Sequence, residues 1–85
     1  MPSKYDPLKQ YLLVAARGPV EMSFAEIERL LGLPLPRSAR HYDAWWLDAS
    51  AGTTHVQARA WLDAHRRVEH VDRAGGVVRF GAVRP

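Results

Sequence analysis

The chain contains no cysteine, which excludes a disulfide framework, a thiolate nucleophile and a Cys-ligated zinc site. A reducing cytoplasm is the compartment this suits. No apolar run approaches the roughly 18 residues that a membrane-spanning helix needs. The start, Met1-Pro2-Ser3-Lys4-Tyr5-Asp6, lacks the apolar stretch of a signal peptide. A soluble, cytoplasmic protein with no membrane association is therefore expected. Low-complexity tracts and internal repeats are absent. So is a glycine-rich phosphate loop, since Gly75-Gly76 stands alone in a turn. Lysine is scarce: of the 12 cationic side chains only Lys4 and Lys9 are lysine, and the rest are arginine. High-GC coding produces that ratio, and so does phosphate recognition, which favours the planar guanidinium fork.

What is present is enough for one domain, residues 1–85. Hydrophobic residues make up 47% of the 85, too many for intrinsic disorder. A chain this short buries only about 60% of the surface its unfolded form exposes, so packing must be efficient, and 3 Trp, 3 Tyr and 2 Phe supply it. The formal net charge of +3 is unevenly spread. Before Arg37, the cations Lys4, Lys9, Arg17 and Arg29 are balanced by Asp6, Glu21, Glu26 and Glu28. Between Arg37 and Arg67, the residues Arg37, Arg40, Arg59, Arg66 and Arg67 outnumber Asp43, Asp48 and Asp63, with His41, His55 and His65 among them. Gathered on one face, such cations suit an anionic partner.

Asp6 is a good N-cap and Pro7 fits the first helical position, so Leu8, Tyr11, Leu12 and Ala15 at helical spacing predict a helix over 6–16, stopped by Gly18-Pro19. Val20 and Met22 flank Glu21 in the alternation of a short strand. Ser23-Phe24-Ala25-Glu26 spells a capping box, with Met22 and Ile27 as its staple. That makes Ser23 a structural cap rather than a nucleophile. The second helix buries Phe24, Ile27, Leu30 and Leu31 and ends at Gly32. The prolines of Leu33-Pro34-Leu35-Pro36 enforce a stiff connector. Ser38 can cap a third short helix that places Ala39, Tyr42, Trp45 and Trp46 on one side, with Arg40 and His41 pointing away. Turn chemistry fills Asp48 to Thr53. Thr54-His55-Val56-Gln57 then repeats the capping box ahead of a fourth helix that reaches about His65. Val68–Val71 and Val77–Val83 are β-rich runs around Asp72-Arg73-Ala74-Gly75-Gly76, a hairpin with Arg73 at its tip. The expected core is Leu8, Leu12, Phe24, Ile27, Leu31, Trp61, Leu62, Val78 and Phe80, joined by at least one of Trp45 and Trp46.

Helix, short strand, helices and C-terminal hairpin make an α+β domain with the order of a winged helix-turn-helix. The segment from Leu33 to Thr53 is long beside the three or four residues that usually join the two helices of that motif, so the Trp-bearing helix is part of the motif or the fold is another small α+β domain. In winged helices the helix before the hairpin commonly enters the major groove. On a wheel of about 100° per residue, His55, Arg59, Asp63 and Arg66 share a stripe about 80° wide, and apolar side chains fill the rest of the fourth helix. Arg40, His55, Arg59, Arg66, Arg67 and Arg73 are accordingly the expected contacts to duplex DNA, although Asp63 can pair with Arg59 or Arg66. An 85-residue monomer offers few contacts, so specific recognition calls for a homodimer on paired half-sites. The alternative is a protein-interaction or adaptor domain of a bacterial regulatory or defence system. Exposed Leu33, Leu35 and Leu47, or an unpaired hairpin edge, would favour that partner.

Nothing in the sequence assembles a catalytic centre, so no enzyme activity and no cofactor are expected. The histidines have no partner at chelating helical spacing and no completing carboxylate, which argues against a metal. Ser23, Ser38 and Thr54 are accounted for as caps. His41 and Asp43, two residues apart, diverge on a helix, and the carboxylates are too scattered for a metal-dependent nuclease.

The landmarks Lys4-Tyr5-Asp6-Pro7-Leu8, Ser23-Phe24-Ala25-Glu26-Ile27-Glu28, Leu35-Pro36 with Ser38-Ala39-Arg40, Ala44-Trp45-Trp46, and Gln57-Ala58-Arg59-Ala60-Trp61-Leu62 resemble, in the same order and over nearly the whole chain, a family of small uncharacterised bacterial domains. The resemblance implies no established activity. The chain departs from that pattern at Leu47-Asp48-Ala49, where a more polar run is usual, and at His65-Arg66-Arg67, where a glycine usually precedes the first hairpin strand.

Overall fold

The computed structural model describes residues 3–47 and 56–84. The first helix, α1 (Asp6–Val14), begins one residue earlier than the cap chemistry of Asp6 predicts. Tyr5 is its N-cap, and Ser3 Oγ accepts from the Tyr5 amide at 3.1 Å. Leu8 and Leu12 face inward and are fully buried. Strand β1 (Val20–Ser23) leads directly into α2 (Phe24–Leu31). There the capping box forms as its sequence requires: the Glu26 amide donates to Ser23 Oγ at 3.0 Å, and the Ser23 amide donates to Glu26 Oε1 at 2.9 Å. The bond from the Ser23 amide foremost, and the Ser23 hydroxyl after it, hold the Glu26 carboxyl below the usual carboxylate range. Gly32 closes the helix in the left-handed region at φ 75°, which a glycine enters without steric cost.

Beyond the proline connector the expected third helix is two short ones, α3 (Arg37–His41) and α4 (Ala44–Leu47). Pro36, not Ser38, caps α3. Tyr42 is extended between them (φ −134°, ψ 124°), so the wheel that placed Tyr42 beside Trp45 and Trp46 does not apply, and Tyr42 is exposed. The break turns Trp46 into the core, where its indole N–H donates to the Ala39 carbonyl at 2.8 Å. Trp46 stacks on Phe24 and on Trp61, with centroid separations of 5.2 and 5.8 Å, and Trp61 lies 5.7 Å from Phe80. That column joins α2, α4, β3 (Val77–Phe80) and α5 (Val56–Leu62). Trp45 is half-buried against it, edge-on to Trp46. The expected core is buried throughout except Leu62, which is partly exposed. The cap assigned to Thr54 lies outside the described residues.

Strand β2 (Val68–Asp72) and β3 form the hairpin, and β3 also pairs antiparallel with β1, giving a sheet of order β1-β3-β2. Val78 and Phe80 face the core while Arg79 faces out. A bulge at Glu69 breaks the register between Val68 and His70. The extra residue shifts the alternation, so Val68 and Val71, three positions apart, both pack on the core. Element order and sheet topology together make this single α+β domain winged-helix-like.

The largest departure from the sequence reading is Arg66. The helix does not continue to it: the Arg66 amide donates to the Trp61 carbonyl at 2.9 Å and the His65 amide to Leu62 at 3.0 Å, the pair of bonds that closes a helix in a Schellman motif. His65 must then be left-handed, and its φ is 63°. Arg66 is thereby thrown inward and is 1% exposed. Its Nε donates to the Leu12 carbonyl (3.3 Å), Nη1 to Gly18 (2.8 Å) and Gly81 (3.1 Å), and Nη2 to Ala16 (2.7 Å). Leu12 O is an orphan carbonyl of the last turn of α1, where the helix dipole favours a cation.

Removing that guanidinium strands several carbonyls at once. Bonds to a charged donor are worth about 1.5–3 kcal/mol each, so Arg66→Ala is expected to cost at least about 3 kcal/mol, much of the total for a domain of this size. Arg66→Lys should recover only part, because an ammonium lacks the fork. Urea denaturation of both variants checks this, and unchanged midpoints would refute it. The His65 position yields the opposite sign: His65→Gly relieves a left-handed non-glycine residue and should stabilise by about 0.5–1 kcal/mol, read as a higher thermal midpoint.

Candidate nucleic-acid interface

The expected DNA contacts separate into four environments. Arg40 and Arg73, 33 positions apart in sequence, meet. Arg73 Nε donates to Asp43 Oδ1 at 2.6 Å and its Nη1 to the Arg40 carbonyl at 3.3 Å. The Arg40 side chain turns the other way, pairing with Glu28 Oε2 at 3.0 Å and lying over the Phe24 ring, 5.5 Å from its centroid. Between them is a polar cleft of about 450 Å³, lined also by His70, Asp72 and Ala74. The hairpin loop is pinned here from two directions, since Gly76 O accepts from the Phe24 amide at 2.7 Å. Asp72 Oδ1 accepts from the Gly75 amide at 2.9 Å and shapes the turn.

Arg59 stands apart. It pairs with Asp63 one helical turn on, as the shared stripe allowed, and borders a cleft of about 260 Å³ against Ser3, Asp6 and Lys9 at the start of α1. Arg67 is exposed at the foot of the hairpin and has no carboxylate partner among the described residues. Arg66, assigned to the exposed stripe, is buried and spent on backbone carbonyls, so it is withdrawn from the contact set. His55 lies outside the described residues. On α5 itself, Gln57, Ala58, Ala60 and Trp61 are buried, leaving Val56 and Arg59 fully outward. The residues that the sequence reading missed are Arg17 and Arg84. The Val83 amide donates to the Arg17 carbonyl and the Arg84 amide to the His65 carbonyl, contacts between distant segments for which no local sequence signal exists.

Among the described residues no group of three or more His, Asp and Glu side chains is placed to hold a metal ion. No described helix is long and apolar enough to cross a membrane. The one carboxylate tied into the Arg40 side of the interface is Glu28. Its bond from the Leu35 amide (2.7 Å), reinforced by Arg40, holds its carboxyl below the usual range. A lowered folded-state pKa means that the stabilisation is complete above the unfolded value and is lost as pH falls through the folded one. Glu28→Gln should therefore be less stable than wild type at neutral pH, and the gap should close in acid. Thermal midpoints across an acid titration test this, and a gap independent of pH would contradict it.

Comparison with curated proteins and with solved structures yields no match. One family profile matches residues 5–82, which is nearly the whole domain and spans every element described above. The chain belongs to the family described as a domain of unknown function, DUF7662.

Proposed function

We propose that the domain is a non-catalytic DNA-binding module of winged helix-turn-helix type, regulatory or nucleoid-associated, acting on duplex DNA as a homodimer on paired half-sites. A winged-helix-like fold supports a binding module in general. The observation that supports the DNA reading is that Arg40 and Arg73, 33 positions apart in sequence, line one cleft at the hairpin tip, the part of a winged helix that commonly meets a phosphate backbone. Arg59 is the residue for a base edge, and Arg67 a flanking phosphate contact. His55 completes the set.

A second reading, a protein-interaction or adaptor domain, is favoured by a different observation. Leu13 and Val14 at the end of α1 are 48% and 83% exposed, while Leu35 of the connector is buried. Leu33 and Leu47 are exposed as well.

With Arg40, Arg59, Arg67 and Arg73 each neutralising a phosphate, the logarithm of affinity should fall against the logarithm of salt with a slope of about −3 to −4. Arg73→Ala should flatten the slope by about one unit for all sequences alike. Arg59→Ala should cost about 1–3 kcal/mol and relax preference at one base position. The measurement is a salt titration with random and selected duplexes. Absence of salt-dependent association by wild type at low ionic strength transfers the case to the adaptor reading.

A further inference from the structure

Arg40, Arg59, Arg73 and Arg79 each carry a carboxylate partner. A phosphate that takes one of these guanidinium groups must first displace Glu28, Asp63, Asp43 or Glu69, and leaves that carboxylate unpaired beside a second anion. An arginine with no such partner binds phosphate without that cost. Among the described residues, three such arginines are drawn together at the foot of the hairpin, the end opposite Arg73. The Val83 amide donates to the Arg17 carbonyl at 2.8 Å, the Gly81 amide to the Arg67 carbonyl at 2.7 Å, and the Arg84 amide to the exposed His65 at 2.8 Å. All three side chains are exposed.

We infer that Arg17, Arg67 and Arg84 form a second phosphate-gripping surface, so that the hairpin lies along a duplex and engages its backbone at both ends. Arg67 and Arg84 wall a cleft of about 240 Å³ floored by Gly81, Ala82 and Val83. Glu69 also lines it, its carboxylate lying over Gly81 and paired through Oε1 with Arg79 at 2.9 Å, so a phosphate enters on the Arg67 and Arg84 side. The floor holds no aromatic or leucine side chain of the kind that anchors a peptide, whereas a guanidinium fork needs only the oxygens of a phosphate. The span fits as well. At about 3.3 Å per residue, Arg67 and Arg73, which flank the bulged β2, stand at most about 20 Å apart, within the roughly 34 Å turn of a duplex.

The inference rests on the duplex reading above and adds Arg17 and Arg84, which that reading does not use. Their structural bonds are made by backbone groups, so side-chain replacement leaves them in place. The test compares wild type, the Arg17→Gln, Arg84→Gln double variant and the Arg40→Gln, Arg73→Gln double variant, each checked for an unchanged thermal midpoint or corrected for it. The probes are a random-sequence duplex of about two helical turns and, separately, poly-L-glutamate. The expected result is that Arg17→Gln with Arg84→Gln weakens duplex binding at least tenfold at low salt and flattens the salt slope by about two units. Charge reversal with Arg84→Glu should weaken it further. Wild-type binding that the Arg17 and Arg84 changes leave untouched, but that the Arg40 and Arg73 changes abolish, overturns this inference and leaves the duplex reading standing. No duplex binding by wild type overturns both. Binding of poly-L-glutamate alone, lost with Arg17→Gln and Arg84→Gln, replaces the phosphate ligand by an acidic polypeptide.

Discussion

The arrangement of the domain depends on one buried cation. Arg66 has five N–H donors, and four bonds to the carbonyls of Leu12, Ala16, Gly18 and Gly81 occupy them almost completely. Among the described residues no carboxylate takes part, and the charge is met by dipoles: the negative end of α1 and the carbonyls of the turn that follows it. A buried guanidinium is costly unless its donors are all met, and here meeting them fixes three separate pieces of backbone at once. The end of α1, the approach to β1 and the exit from β3 can occupy no other relative position without leaving either the charge or the carbonyls unpaired. The Schellman closure at His65 delivers Arg66 to that point. This is why the chain accepts a left-handed histidine there.

The other constraint is aromatic. Phe24, Trp46, Trp61 and Phe80 come from α2, α4, α5 and β3, and their stacked column lets a chain with little interior volume build a continuous core. It also explains the long interval between the second helix and the helix before the hairpin. A direct turn would leave no element to carry Trp46. The proline connector, whose Leu35 is buried and whose amide is held by Glu28, brings α3 and α4 over the end of the core instead. The interval is an insertion that completes the packing, with the winged-helix order preserved around it.

Local chemistry made much of this legible in advance. The capping box at Ser23, the glycine stop at Gly32 and the β-rich runs of the hairpin involve residues within a few positions of one another, and each forms where the sequence places it, except that β3 ends at Phe80 rather than Val83. Arg66 was not legible. A wheel assumes that a helix continues, and the bonds that end this one before Arg66 depend on a left-handed residue that a histidine does not announce. The consequence of the His65-Arg66-Arg67 run appears only when Leu12, Gly18 and Gly81 converge in space. The pairing of Arg73 with Asp43, and the gathering of Arg17, Arg67 and Arg84, are likewise products of tertiary contact. Composition shows that cations are in excess and leaves open which of them retain their charge at the surface.

That distinction between paired and unpaired arginines bears most directly on function. Net charge treats all of them alike, yet Arg66 is enclosed in the core, and Arg40, Arg59, Arg73 and Arg79 are matched by acids. At the hairpin tip, Arg73 both presents charge and ties the loop to α3 and α4 through the Arg40 carbonyl and Asp43. A ligand that recruits Arg73 must compete with that tie, so engagement there is coupled to the position of the loop. At the hairpin foot the strands are held by backbone bonds and by the buried Arg66, and among the described residues the exposed Arg17, Arg67 and Arg84 side chains take no part in that hold. An anion presented there would be met without breaking an internal ion pair. At the tip, as at the Arg59–Asp63 and Arg79–Glu69 pairs, a partner's charge would exchange with an internal one, and of these three arginines Arg73 is the one that also holds a backbone carbonyl, that of Arg40.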